Sequence, residues 1–278
     1  MGVRRTLIAT LIAMAVAATA VAQIWVGGYG RRPARFPTET SFGGGFNFCR
    51  MMFTSTHREK QGWSTDYPGA DINFSIRVAE LTKIQVKMTD EAGEESEPDA
   101  VVVRLTDEAL FKCPFIFMED AGTAHFNAAE VARLQDYLLK GGFLLVSDYH
   151  GTYGRDQFDE EIGRVLPSSR YPIIDVTPPN DHPLWRTMFP VDGLPQMASI
   201  ATWRRTGGGT IERWNENGDP PTARAIADEQ GRLMVLMVHN TDLPDPWERE
   251  GEDKGYFYEF SPGAYGVGIN ILLYSMTH

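Results

Sequence analysis

The chain has 278 residues, with 37 acidic against 26 basic side chains, a formal charge of −11 and 42% hydrophobic residues. That acidity excludes recognition of nucleic acid or of an anionic membrane surface through a general basic patch. The length and apolar content suit one large domain with its own core, and no internal repeat divides it.

The chain opens Met1-Gly-Val-Arg-Arg and runs from Thr6 to Ala22 without charge, closing on Ala20-Val21-Ala22. A basic start, a short apolar stretch and a small-x-small site are the parts of a secretory signal. The stretch is shorter than the roughly 20 apolar residues that cross a bilayer comfortably. The expectation is a cleaved signal over residues 1–22, with an uncleaved membrane anchor as the alternative. Only Leu7 supports twin-arginine export through Arg4-Arg5, so general secretion is expected. Losing Arg4 and Arg5 with the leader takes the formal charge from −11 to −13. The expected location is the periplasm, free or membrane-anchored, with membrane contact confined to the N-terminal segment.

Residues 23–45 are rich in Gly, Arg and Pro and lack periodicity, which reads as a linker before a domain over 46–278. Phe46 to Phe53 is an apolar run suited to a buried strand, followed by a polar loop from Thr54 to Gly69 that carries His57, Trp63, Asp66 and Tyr67. Helical spacing over Ala70 to Lys83 predicts a helix buried on more than one side, then a strand from Ile84 to Met88. Thr89 to Asp99 is a solvated acidic loop. Phe115 to Met118 reads as a strand. Asn127-x-x-Glu130 opens a helix as a capping box, Gly141-Gly142 stops it, and Phe143 to Ser147 is the next strand. That order in about 35 residues predicts a right-handed βαβ unit and a parallel sheet. Asp156 to Val165 reads as helix and Ile173 to Val176 as strand. Ala223 to Ala227 and Leu233 to Val238 flank a hairpin signal at Asp228-Glu-Gln-Gly231. A final helix places Ile269, Leu272, Leu273 and Met276 on one face, with Gly266 and Gly268 allowing close packing. The fold class expected is α/β, a mostly parallel central sheet flanked by helices in flavodoxin-like layers.

Cys49 and Cys113, the only cysteines, sit in apolar runs. They can pair if their strands are neighbours, but two buried unpaired residues are the favoured reading.

In open parallel sheets ligands bind beyond the carboxyl ends of the strands. That rule selects Asp148-Tyr-His150-Gly151, His239-Asn240-Thr-Asp242, the loop with His57, Asp66 and Tyr67, and Glu119-Asp120. Asp148 and His239 are the candidate catalytic pair; Asp66, Tyr67, His150, Asn240 and Asp242 are candidate ligand-binding residues. Asp148 serves equally as a turn cap, the histidines as satisfied loop residues, and Asp66, Tyr67 and Asp71 as a turn and helix start. Asp148, His150, His239 and Asp242 are ligand types that suit a divalent cation, but their spacing supplies no geometry, and no metal or cofactor is assigned. Trp63, Trp185, Trp203, Trp214 and Trp247 are expected to cover the core rather than stack on sugars.

The run Tyr137-Leu-Leu-Lys-Gly-Gly-Phe-Leu-Leu-Val-Ser-Asp148 resembles the segment leading into the nucleophile turn of class I glutamine-amidotransferase-like domains, and among their relatives the trehalose-utilisation type. Trp63-Ser-Thr-Asp-Tyr-Pro-Gly-Ala-Asp71, the strand ending in Asp148-Tyr-His150, His239-Asn-Thr-Asp242 and the closing Gly268 to His278 together are similar to a bacterial domain-of-unknown-function family, number 4159, over nearly all of Phe46 to His278. The resemblance implies an amidotransferase-like fold in exported or membrane-anchored proteins, sometimes alongside envelope-stress components, and no established activity. Asp148 stands where an amidotransferase carries its nucleophilic Cys, and a carboxylate cannot replace a thiolate there, so no glutaminase is expected. His239 with Asp242 is then half a triad without its nucleophile. The functional expectation is a non-catalytic domain binding a small ligand or an envelope protein. The alternatives are a hydrolase using Asp148, His150 and His239 on an envelope glycan or peptide, and an interaction partner in an envelope complex.

Overall fold

A computed structural model describes residues 25–26, 32–56, 62–89 and 96–278. The signal segment over 1–22 and His57 lie outside them. Among the described residues no helix is long and apolar enough to cross a membrane.

In chain order the elements are β1 (Trp25–Val26), β2 (Arg32–Pro33), β3 (Cys49–Met52), α1 (Gly69–Leu81), β4 (Val101–Arg104), β5 (Phe115–Met118), α2 (Ala128–Leu139), β6 (Phe143–Val146), α3 (Gly151–Val165), β7 (Ile173–Asp175), α4 (Ile200–Thr206), β8 (Thr222–Ala227), β9 (Leu233–His239), α5 (Asp245–Glu248) and α6 (Lys254–Thr277). Seven strands form one sheet in the order β4-β3-β5-β6-β9-β8-β7, while β1 and β2 pair separately. Neighbours from β4 to β9 run parallel, and β8 lies antiparallel to both β9 and β7. The sheet is α/β and mostly parallel, in flavodoxin-like layers. One core packs α2 and α3 through Leu134, Leu138, Phe158 and Ile162; the other packs α1, α5 and α6 through Phe74, Trp247, Ile269 and Leu272. From β3 the chain first moves outward to β4 and then returns to the other side at β5, so the strand order reverses between β3 and β5. Such a reversal opens a crevice beyond the carboxyl ends, because the flanking loops leave in opposite directions.

The βαβ unit β5-α2-β6 forms as its sequence predicts. Asn127 caps α2, accepting from the Ala129 and Glu130 N–H groups, while the Glu130 carboxylate accepts from the Asn127 N–H at 2.8 Å. The other Glu130 oxygen accepts from the Thr54 N–H and hydroxyl at 3.0 Å, fastening the chain beyond β3 to this cap. The hairpin of β8 and β9 also forms. In α6, a side chain at Gly268 would meet Phe74 and Trp247 at 2.6 Å, so the close approach needs glycine.

Several elements differ from expectation. Ile84 to Met88 forms only isolated bridges at Val86 and Met88, and the edge strand is instead Val101–Arg104, a β-branched run hidden behind the acidic loop. The helix α3 begins at Gly151, five residues before the apolar periodicity shows it. One face of α1 buries Ala70, Phe74 and Val78, whereas Ile76 and Leu81 are exposed, because no layer lies outside it. Met276 is exposed at the end of α6. Packing extends back into the Pro- and Gly-rich segment: Ala34, Phe36 and Phe42 lie against the core, and Tyr67 Oη accepts from the Arg35 N–H at 3.0 Å.

Cys49 and Cys113 form a disulfide, correcting the reading as two unpaired residues. The strands are neighbours, since β3 pairs with β5, and the bond joins their amino ends, away from the crevice. Both cysteines are buried. Denatured chain purified without reductant is expected to show no free thiol to Ellman's reagent. Replacing both cysteines with serine should lower the unfolding free energy in denaturant titrations by about 2–4 kcal/mol, through the 64-residue separation the bond closes.

Candidate functional site

A buried cation organises the carboxyl end of the sheet. Arg50, on β3, is fully enclosed. Its Nε donates to both Asp71 oxygens at 3.0 and 2.9 Å, Nη2 donates again to Asp71, and Nη1 donates to Glu119 and to the Trp63 and Thr65 carbonyls. The ring of Phe117 lies 5.2 Å from its Cζ. One guanidinium thereby links β3, the first turn of α1, the loop leading to Asp66 and the end of β5. A guanidinium keeps its charge when buried, so its partners must carry the compensating one.

Glu119 satisfies Arg50 with one oxygen and leaves the other, Oε1, buried and without a hydrogen-bond partner. It interacts directly with Asp66, whose Oδ2 is also buried and unpartnered, and at longer range with Asp148. Burial pushes the Glu119 carboxyl well above its ordinary range; Arg50 opposes the shift, and Asp66 and Asp148 add to it.

Asp66, Asp242 and Asp245 each bring a carboxylate oxygen within 4.8 Å of the others. Asp242 accepts from the Asp245 N–H at 3.0 Å, and Asp245 accepts from the Ile200 N–H at 2.8 Å and from Tyr256 Oη at 2.7 Å. Burial raises Asp66 to about 7, reinforced by Asp245 and opposed by its contact with Glu119. Burial takes Asp245 to about 7 against the pull of Tyr256 and Ile200. It takes Glu248 to about 8, with Asp66 adding and Arg249 opposing. Asp242 is raised well above its ordinary range by burial and then by Asp148, Asp245 and Asp66.

Among the described residues, four non-glycine positions take left-handed backbone: Asp66 (φ 56°), Asp120 (φ 53°), Asp148 (φ 51°) and Asn240 (φ 60°). All four lie in loops beyond strand carboxyl ends, at β3, β5, β6 and β9. Asp and Asn are the side chains that reach this region at least cost, which explains their use, but each position still holds strain on the order of 1–3 kcal/mol.

The residues singled out from sequence divide into two groups. Asp66 and Asp242 converge. Asp148, about one-sixth exposed, meets His150 Nε2 at 3.2 Å and acts electrostatically on Asp242 and Glu119. His239 and Asn240 instead hold the turn into α3: Nε2 of His239 donates to the Gly151 carbonyl at 2.9 Å, and Asn240 Oδ1 accepts from the Gly151 N–H at 2.9 Å. Among the described residues no hydrogen bond joins Asp148 to His239, or Asp242 to His239. Tyr67 is buried, with its hydroxyl on Arg35. Trp63, Trp185 and Trp247 are core, while Trp214 is exposed. Sequence reasoning missed Arg50, Asp245 and Glu248. A lone Arg inside the apolar run Phe46 to Phe53, and Asp245 three residues after Asp242 at a helix start, are the signals that mark them.

An open, mostly parallel sheet with helices on both faces, and charged groups gathered where the strand order reverses, defines a doubly wound α/β protein. The chain belongs to the family described as domain of unknown function DUF4159, whose model matches residues 52–276. No curated protein matches it.

Arg50→Met is expected to destabilise by about 3–5 kcal/mol in chemical denaturation, because Asp71 and Glu119 stay buried without their cation. Burial lowers His239 to about 4, opposed by its bond to Gly151. The folded imidazole therefore stays neutral between about pH 6.5 and 4 while the unfolded one takes up a proton, so its effect is nil above pH 6.5 and destabilising below. Relative to His239→Gln, which keeps an N–H donor, the wild type should lose on the order of 3 kcal/mol between pH 7 and 4 in urea titrations.

Proposed function

We propose that this chain is an exported, non-catalytic member of the glutamine-amidotransferase-like superfamily, and that its crevice takes a positively charged ligand. The observation that carries the reading is the imbalance of charge at the crevice. Asp66, Glu119, Asp148, Asp242, Asp245 and Glu248 act on one another, whereas Arg50 is engaged by Asp71 and Glu119, and Arg249 by Glu248 and Glu252. Like charges buried together raise one another's pKa, and a bound cation removes that cost.

Loss of the amidotransferase reaction is supported by position 148, an Asp, and by the cysteines, both of which are held in the disulfide at the opposite end of the sheet. The same disulfide supports an oxidising compartment, in agreement with the signal-like N-terminus. Hydrolysis by acid–base chemistry is the second reading; it draws on Asp66 and Asp245, carboxyls held near 7 and so able to hold or release a proton at neutral pH.

Purified chain is expected to release no ammonia from glutamine. Its thermal midpoint should rise with cationic compounds at fixed ionic strength and stay unmoved by anions of matched size. Turnover of an envelope glycan or peptide that disappears in Asp66→Asn would replace this reading with the second one.

A further inference from the structure

The crevice contains one place where the cation's chemistry can be specified. We propose that Asp66, Asp242 and Asp245 bind a single hard divalent cation of the calcium–magnesium class, with Glu119 beneath it. This inference rests on the reading of the crevice as a cation site and names its ligand.

The three aspartates come from separate stretches of chain. Asp66 lies in the loop between β3 and α1, held there by the bonds of Arg50 to the Trp63 and Thr65 carbonyls. Asp242 and Asp245 lie in the turn from β9 into α5, held by the Asp242 N–H on the Met197 carbonyl and by the Ile200 and Tyr256 bonds to Asp245. The strands β3 and β9 are separated by β5 and β6, so the cluster spans the crevice rather than one loop. Oxygens within 4.8 Å of one another fit around an ion whose ligands stand about 2.3–2.6 Å away, as calcium's do. The donors are all carboxylate oxygens, which suit hard cations, and no thiolate is available because both cysteines are bonded.

A second observation, at Glu119 beside the cluster, also points to a ligand. Glu119 is wholly buried, no N–H group or hydroxyl of the protein reaches its Oε1, and the carboxyl it meets is that of Asp66, whose own Oδ2 is buried without such a donor. A buried polar atom left unsatisfied costs about 1–3 kcal/mol, more when charged. Two carboxyls meeting in this way must either keep a proton between them or take a cation beside them, and a bound cation displaces that proton. Neighbouring protein supplies none, since the only described cation on Glu119, Arg50, is bound to its other oxygen.

The test uses the full purified chain, stripped with EDTA and dialysed. CaCl2, MgCl2, MnCl2 and ZnCl2 are titrated separately by calorimetry and by thermal shift, with spermidine and KCl at matched ionic strength in parallel. The expected result is saturable binding of one calcium or magnesium ion per chain with a rise of several degrees in the thermal midpoint. Asp66→Asn and Asp242→Asn should each weaken that binding by more than about tenfold. Both variants should have metal-free midpoints equal to or above the wild type's, because each removes one of several crowded like charges, and Asn keeps the left-handed backbone at 66. Response to spermidine but to none of the metals overturns the inference and leaves the cationic-ligand reading standing. Response to neither overturns both. Calcium or magnesium binding that survives in both variants, or binding of zinc alone, also overturns it.

Discussion

The enclosed guanidinium of Arg50 is the constraint on which the carboxyl end of this sheet depends. A charge taken fully out of water is tolerable only when its partners are close and well oriented. That requirement brings Asp71 at the start of α1 and Glu119 at the end of β5 to one point, and draws in the carbonyls of Trp63 and Thr65. The loop that carries Asp66 is therefore positioned by the same charge that neutralises Asp71. Loss of the guanidinium would leave two carboxylates without compensation and the loop without its anchor.

Beyond Arg50 the arrangement runs against stability. Carboxyls from three strand ends are gathered where water is scarce, and their pKa values rise because burial disfavours the charged form and neighbouring carboxylates add to that cost. The left-handed residues at 66, 120 and 240 lie in the same loops. Crowded like charges and backbone strain in one place, in a domain whose two cores are otherwise well packed, are the local inconsistencies that accompany a binding site. His239 and Asn240 belong to the supporting structure: by holding both polar groups of the Gly151 peptide they fix the turn that carries Asp148 and His150.

Much of the fold was legible along the chain because the signals were local. The capping box at Asn127, the glycine stop at 141–142 and the hairpin around Asp228 act within a few residues, and each formed as read. The strand Val101–Arg104 was obscured by the acidic loop before it, and the start of α3 by its glycines. The site was half legible. Strand-end position selected Asp66, Asp148 and Asp242, but it equally selected His239 and Tyr67, whose side chains are committed to Gly151 and Arg35. Arg50 and Asp245 carried only faint local signals, a charge within an apolar run and an acid at a short helix.

By itself the sequence determined the α/β class, the parallel βαβ unit, the acidic character and the presence of Asp at position 148, because propensity, capping and residue identity are properties of neighbours in the chain. Tertiary structure alone decided that Cys49 meets Cys113, that Arg50 pairs with Asp71 and Glu119, and that Asp66 converges with Asp242 and Asp245. Those pairings span tens to well over a hundred residues, and only the order and register of the strands bring their partners within bonding distance.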